Sequence, residues 1–255
     1  MSDPILLAER DAGTLILTLN YTARRNALSM PLRAALIEAF DAAEGDSSVR
    51  AIVLTGAGGH FCAGGDISGM NAADLAAGRE RFRVTHRLVT QMVHCAKPII
   101  AAVEGYAVGA GLSLALCCDT VVAAENARLA AGFGRIGLIA DLGLNHTLPQ
   151  RIGMGRARQI LLYGEQVDAP AAERIGLIDH VVSSGTALAA ARDRARMLEA
   201  AAPLPIALTK RLLAEGLDAA LAQERDLQST LFLTDDHREG REAFLAKRRP
   251  VFRGQ

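Results

Sequence analysis

The chain has 255 residues, enough for one large domain or two small ones with a substantial core. Half of the residues are hydrophobic, with Ala and Leu dominant and no Trp, which excludes a disordered chain and points to a helix-rich globular protein. Lys plus Arg number 28 and Asp plus Glu number 28, so no global charge attracts nucleic acid or an anionic membrane, and any anionic ligand must be gripped locally.

The opening MSDPILLAERDAG places acidic residues on both sides of a very short apolar run, unlike the basic start and long apolar region of a signal peptide. ILLAER and TLILTLN flank Asp11–Gly13 and predict a hairpin. After RRNALS a helix follows, with Ser29 placed to cap it, Pro31 in its first turn, and Leu32, Leu36 and Phe40 at helical spacing. AIVLTG at 51–56 predicts a strand buried on both faces, residues 74–95 a helix, and PIIAAVEG from Pro98 a second buried strand. The longest uncharged segment, Gly105 to Cys118, is too short and too Gly-rich to span a bilayer. From about Met154 the chain is mostly helical and more charged, with amphipathic spacing. The expectation is an α/β core over residues 1–195 and a helical region over 196–255 suited to oligomerisation. The protein is expected to be cytoplasmic, with no nucleic-acid or membrane partner.

VEGYAVGAGLSLALCCDTVVAAE first suggests a dinucleotide site, but Leu114 stands where the third Gly belongs and the helix before the next strand is too short. Ser113, in GLSLA, lacks the closing Gly of a nucleophile elbow. The six His and four Cys residues form no ligand-spaced cluster, so no metal is expected. Two Gly-rich turns remain, FCAGGDI after AIVLTG and YAVGAGLS after PIIAAVE. They can aim two backbone N–H groups at one oxygen, an oxyanion hole built from backbone, or they can simply permit tight turns.

RRNALS, AGGHFCAGGDI, KPIIAAVEGYAVGAGLSLALCCD and GRIGLIADLG, in that order and followed by FLAKRRPVF, resemble the crotonase superfamily, the enoyl-CoA hydratase/isomerase group. The resemblance implies a spiral of ββα units with a helical C-terminal trimerisation region, assembled as homotrimers or dimers of trimers. It also implies an acyl-CoA thioester substrate, with no cofactor beyond the CoA that the substrate carries. The thioester oxygen would be held by the N–H groups of Gly65 and Ala110, where the family commonly has Gly at the second position. CoA contacts carry over to Arg24 and Arg25, to the turn at Ala63, Asp66 and Ile67, and to Phe244 and Lys247.

Hydratases of this group use two glutamates, and in this chain those positions are Ser113 and Phe133. Neither residue can deprotonate a water. Asp141, in GLIADLG, resembles the carboxylate of the branch that shifts double bonds in enoyl-CoA. The resemblance therefore implies migration of a double bond from Δ3 to Δ2, with Asp141 as the proton carrier. Asp141 has a competing role, as the cap of a helix running towards Leu148, and His146 is a second candidate participant. Hydration with a non-standard base and acyl-CoA binding without catalysis are the alternative functions. Residues 70–83 would border the acyl pocket.

Overall fold

The computed structural model describes residues 3–255. Strands β1 (Leu6–Asp11) and β2 (Thr14–Leu19) form the expected antiparallel hairpin, turning at Ala12. Helix α1 (Met30–Gly45) starts where expected, with the Ser29 hydroxyl accepting from the Leu32 N–H at 3.4 Å. β3 (Ala51–Gly56), α2 (Leu75–His94), β4 (Ile99–Val103), β5 (Tyr106–Val108) and α3 (Ala110–Leu116) follow. Next come β6 (Thr120–Ala124), β7 (Arg128–Ala130), α4 (Leu144–Tyr163, broken at Gly153), β8 (Gln166–Asp168), α5 (Ala169–Arg174) and β9 (His180–Val182). Four helices close the chain: α6 (Ala187–Glu199), α7 (Pro203–Leu213), α8 (Leu217–Leu231) and α9 (Asp235–Leu245).

A six-stranded sheet runs β1-β2-β3-β4-β6-β9, parallel except for the first hairpin. Beside it lies a second row of very short strands. In this row Leu28 pairs with Gly65, Cys62 with Ala107, β5 with β7, and β7 with β8. Four successive passes, from β2 to α4, thus lay one longer strand in the sheet and one short strand in the second row before a helix returns the chain, which is the spiral of ββα units. The two Gly-rich turns lie in the second row, against each other.

The apolar runs in β3 and β4 are buried on both faces. Ile52, Leu54, Ile99 and Ala101 face the main core, and Ala51, Val53, Ile100 and Ala102 face Ala187, Ala191 and Ala195 of α6. Alanines four residues apart let that helix lie close to the sheet. On the other side α8 packs against α2, and α9 packs against the short turn Phe133–Ile136. Gly240 of α9 meets the backbone of Ile136, His237 Nδ1 lies 2.8 Å from the Ile136 carbonyl, and Arg241 donates to the carbonyls of Ile67 (3.1 Å) and Ser68 (3.0 Å). The C-terminal helix therefore packs on the end of its own chain's first Gly-rich turn and on the turn at Phe133–Ile136. Among the described residues no helix is long and apolar enough to cross a membrane.

Candidate functional site

The site is built first from backbone. Phe61 N–H donates to Glu104 O and Cys62 N–H to Tyr106 O, each at 2.8 Å, and Val108 N–H donates back to Cys62 O at 3.1 Å. These bonds clamp the turn at 62–65 onto the turn at 108–111. Gly109 has φ 54° and ψ −121°, a conformation closed to residues with a Cβ. Gly111 sits so close to the Cys62 carbonyl that any side chain there would strike it. Gly65 and Ala110 both line a cleft of about 550 Å³. Among the described residues neither amide donates to a backbone carbonyl in these turns, and Ala110 opens α3, where first-turn N–H groups have no helical partner. Two directed, uncommitted donors at one cleft can stabilise an oxyanion.

The same cleft is lined by Arg24, Arg25, Ala63, Asp66, Ile67 and Phe244, so the fold gathers most of the sequence candidates. Arg25 has its Cζ 5.5 Å from the Tyr106 ring, which in turn stacks on His60. The Ala63 N–H donates to Arg25 O at 3.0 Å, and the Asp66 carboxylate caps the short helix after it by accepting from Ser68 N–H and Oγ. The Ile67 carbonyl is occupied by Arg241. Phe244 is more than half exposed and stands at the cleft's edge. Lys247 is exposed beyond the end of α9 and does not line the cleft.

Ser113 and Phe133, the positions that the resemblance matches to the hydratase acids, carry no carboxylate. Ser113 is fully buried, with its hydroxyl donating to Gly109 O at 3.3 Å. Phe133 lines the cleft and lies against Gly109. Asp141 lies deeper, outside the lining of the cleft, and is 4% exposed. It does not cap a helix: α4 begins after Gly143 with no side-chain cap, and only the main-chain carbonyl of Asp141 serves that turn. His146 instead faces Gln150 at 3.0 Å.

The turn that carries Asp141 is held with unusual care. Gln228 Oε1 accepts from Ile139 N–H, and Gln228 Nε2 donates to Ile139 O. Glu224 accepts from Gly143 N–H at 2.9 Å, and Asn145 donates to Ala140 O at 2.8 Å. Leu142 is held at φ 54°, a strain of about 1–3 kcal/mol that only surrounding contacts can maintain. Burial, then the charge of Glu224, pushes the Asp141 carboxyl up to about 7, against the opposing pull of Arg33 and Arg81. Its Oδ1 is buried without a hydrogen-bond partner among the described residues. A carboxylate in this state can both take and return a proton near neutral pH.

Of four residues that shape this region, Met70 and Arg81 fall in the 70–83 segment expected to border the acyl pocket, whereas Arg33 and Glu224 escape the sequence reading. Met70 lines the cleft and lays its terminal methyl on Gly65. Arg33 is buried, Arg81 is partly buried beside it, and Glu224 is matched with His86 at 2.8 Å. Arg33 left a readable signal: it shares the inward face of α1 with Leu36, Ile37 and Phe40, where a charge is out of place.

Comparison with known proteins agrees with this geometry. The chain is 39% identical over 254 residues to the 2,3-dehydroadipyl-CoA hydratase of Escherichia coli, covering 98% of this chain and 99% of that protein. It is 38% identical over 260 residues to the 1,2-epoxyphenylacetyl-CoA isomerase of the same organism, covering 98% of each. The crystal structure of an enoyl-CoA hydratase from Mycobacterium avium subsp. paratuberculosis superposes with a TM-score of 0.88 at 30% identity, over 98% of both chains. A family model described as enoyl-CoA hydratase/isomerase matches residues 9–255, and the chain belongs to that family.

Proposed function

We propose that this enzyme moves a double bond in an enoyl-CoA from Δ3 to Δ2. The thioester carbonyl sits between the N–H groups of Gly65 and Ala110, and Asp141 removes a proton from C2. The negative charge passes to the thioester oxygen as an enolate, and the same carboxyl returns the proton to C4. No atom is gained or lost. The CoA moiety lies along Arg24, Arg25 and the turn at Ala63–Ile67, with Phe244 and Lys247 at its outer edge.

The observation that carries this reading is the pattern of carboxylates. Two carboxylates, Asp141 and Glu224, are fully buried among the described residues. Glu224 is committed to His86 and Gly143, whereas Asp141 keeps an oxygen without a partner. One uncommitted acid suits isomerisation, where a single group serves as base and then as acid. Phe133 beside the hole helps exclude water, which hydration would require.

A second reading, hydration with a non-standard base, is favoured by the relatives named as hydratases. Product mass separates the two on a panel of 2-enoyl and 3-enoyl CoA esters, since hydration adds a water and isomerisation does not. The expected result is a mass-neutral product from 3-enoyl esters, abolished in Asp141→Ala while CoA-ester binding survives. A mass gain, or isomerisation at the wild-type rate in that variant, overturns the assignment.

Assembly as a homotrimer or a pair of trimers belongs to the same proposal. It is supported by α7, which presents Leu204, Leu208 and Leu212 four residues apart, each 60% exposed or more.

A further inference from the structure

Arg33 is the most anomalous side chain in the molecule. It points inward from α1, is 1% exposed, and has its Nε buried with no hydrogen-bond partner. Its guanidinium donates to the Thr85 hydroxyl, and among the described residues no carboxylate lies within 4 Å of it. A buried charge left this way is destabilising, and a leucine at the same place on the helix would not be.

Arg81 approaches from α2. It donates to the Gly69 carbonyl at 2.9 Å and lies with its Cζ 5.7 Å from the Phe232 ring. Arg81 thereby joins the buried polar group to the segment at 67–70, which walls the cleft. Met70 of that segment lies directly on Gly65, so a flexible thioether covers the thioester turn on the side of the segment that Arg81 holds.

The carboxylates facing this pair are Asp141, whose charge acts on both arginines, and Asp66, which acts on Arg81. Glu224 is matched by His86 and the Gly143 N–H. Asp66 is spent on Ser68. Two guanidiniums therefore share one free carboxylate, which the proposed reaction itself needs as its base. One anion is missing.

We propose that the missing anion is the substrate's own: the acyl chain ends in a free carboxylate held by Arg33 and Arg81, so the enzyme takes CoA thioesters of short dicarboxylic acids. This rests on the acyl-CoA reading above and goes beyond it in naming the far end of the substrate. The acyl chain enters between Gly65 and Ala110, displaces the Met70 thioether, passes Asp141, and closes an ion pair in a water-poor site. A guanidinium fork suits a carboxylate because two parallel N–H groups meet its two oxygens.

The test uses saturated esters, which bind but do not turn over. Dissociation constants are measured by calorimetry for adipyl-CoA and hexanoyl-CoA, which differ at the far end of the chain. The expected result is at least tenfold tighter binding of adipyl-CoA by the wild-type protein. Arg33→Met and Arg81→Met should each bring the ratio to about one or below, with hexanoyl-CoA held as well as before or better. Arg81 is less buried, so its variant decides the matter should Arg33→Met fail to fold. Equal or tighter binding of hexanoyl-CoA by the wild type overturns the proposal while leaving the acyl-CoA reading intact, as does a ratio preserved in the variants. Binding of neither ester overturns both.

Discussion

The proposed thioester end of the site and its proposed acyl end solve the same electrostatic problem by opposite means. At the proposed thioester end the two donors are backbone N–H groups, held by glycines and by the bonds that clamp residues 62–65 onto 108–111. Fixed dipoles there need no counter-charge and no proton. At the acyl end Arg33, Arg81, Asp141 and Glu224 place full charges in the interior, where each must be matched or shifted. The first construction tolerates almost no change in shape and the second almost no change in charge.

The largest effect should come from breaking shape at the thioester end. Gly111→Val drives a branched side chain into the Cys62 carbonyl, which is main chain and cannot swing aside. Overpacking against fixed backbone should cost about 3 kcal/mol or more. Denaturant unfolding should show that loss, together with loss of CoA-ester binding. A variant of normal stability would mean that the two turns are not clamped as described. Next in size is a break in charge matching. Glu224→Leu strands both His86 and the Gly143 N–H, at a cost of about 2–4 kcal/mol, measured in the same way.

These two positions also mark what a sequence can and cannot reveal. The glycine turns were legible because backbone geometry forces a residue type: Gly109 and Gly111 have no substitutes, so the chain displays them. Long elements were equally plain, since the Ser29 cap, the β3 and β4 apolar runs and the α6 alanine stripe each have a periodic cause. The three-residue strands β5, β7, β8 and β9 carry too few residues for any period to show. The charged cluster was hidden for another reason. Its members come from α1, α2, the turn before α4, and α8, and α8 supplies both Glu224 and Gln228 at helical spacing from far along the chain. Such grouping is decided by tertiary packing, and the chain hints at it only through Arg33, misplaced on an apolar face, and Arg81, inside the 70–83 segment expected at the acyl pocket.

A third prediction sharpens the electrostatic side of the comparison through pH. The Asp141 carboxyl is raised to about 7 in the folded protein, above its ordinary value of 3.8 in an unfolded chain. Between these values the unfolded chain has released the proton while the folded protein still holds it. Stability contributed at low pH is therefore lost progressively as pH rises from about 4 to 7, and stays lost above. Asp141→Asn, fixed in the neutral form, should be more stable than wild type at pH 8 by a few kcal/mol, with the gain fading towards pH 4. Thermal unfolding at the two pH values measures it. A gain that is the same at both, or reversed, would show that the folded carboxyl is not held protonated by its surroundings.

The smallest expected effect tests whether the Ser113 position is truly silent. Its hydroxyl touches the Gly109 carbonyl at 3.3 Å, a long contact to a group of the same short helix, and it is sealed from the cleft. Ser113→Ala removes that contact without opening a cavity or stranding a donor, because the departing group is itself the donor. The change in stability should stay within ~0.5 kcal/mol, and the isomerisation rate within about twofold. A tenfold fall in rate with stability unchanged would place this hydroxyl in the reaction. Side-chain chemistry would then reach into the end of the site assigned here to backbone alone.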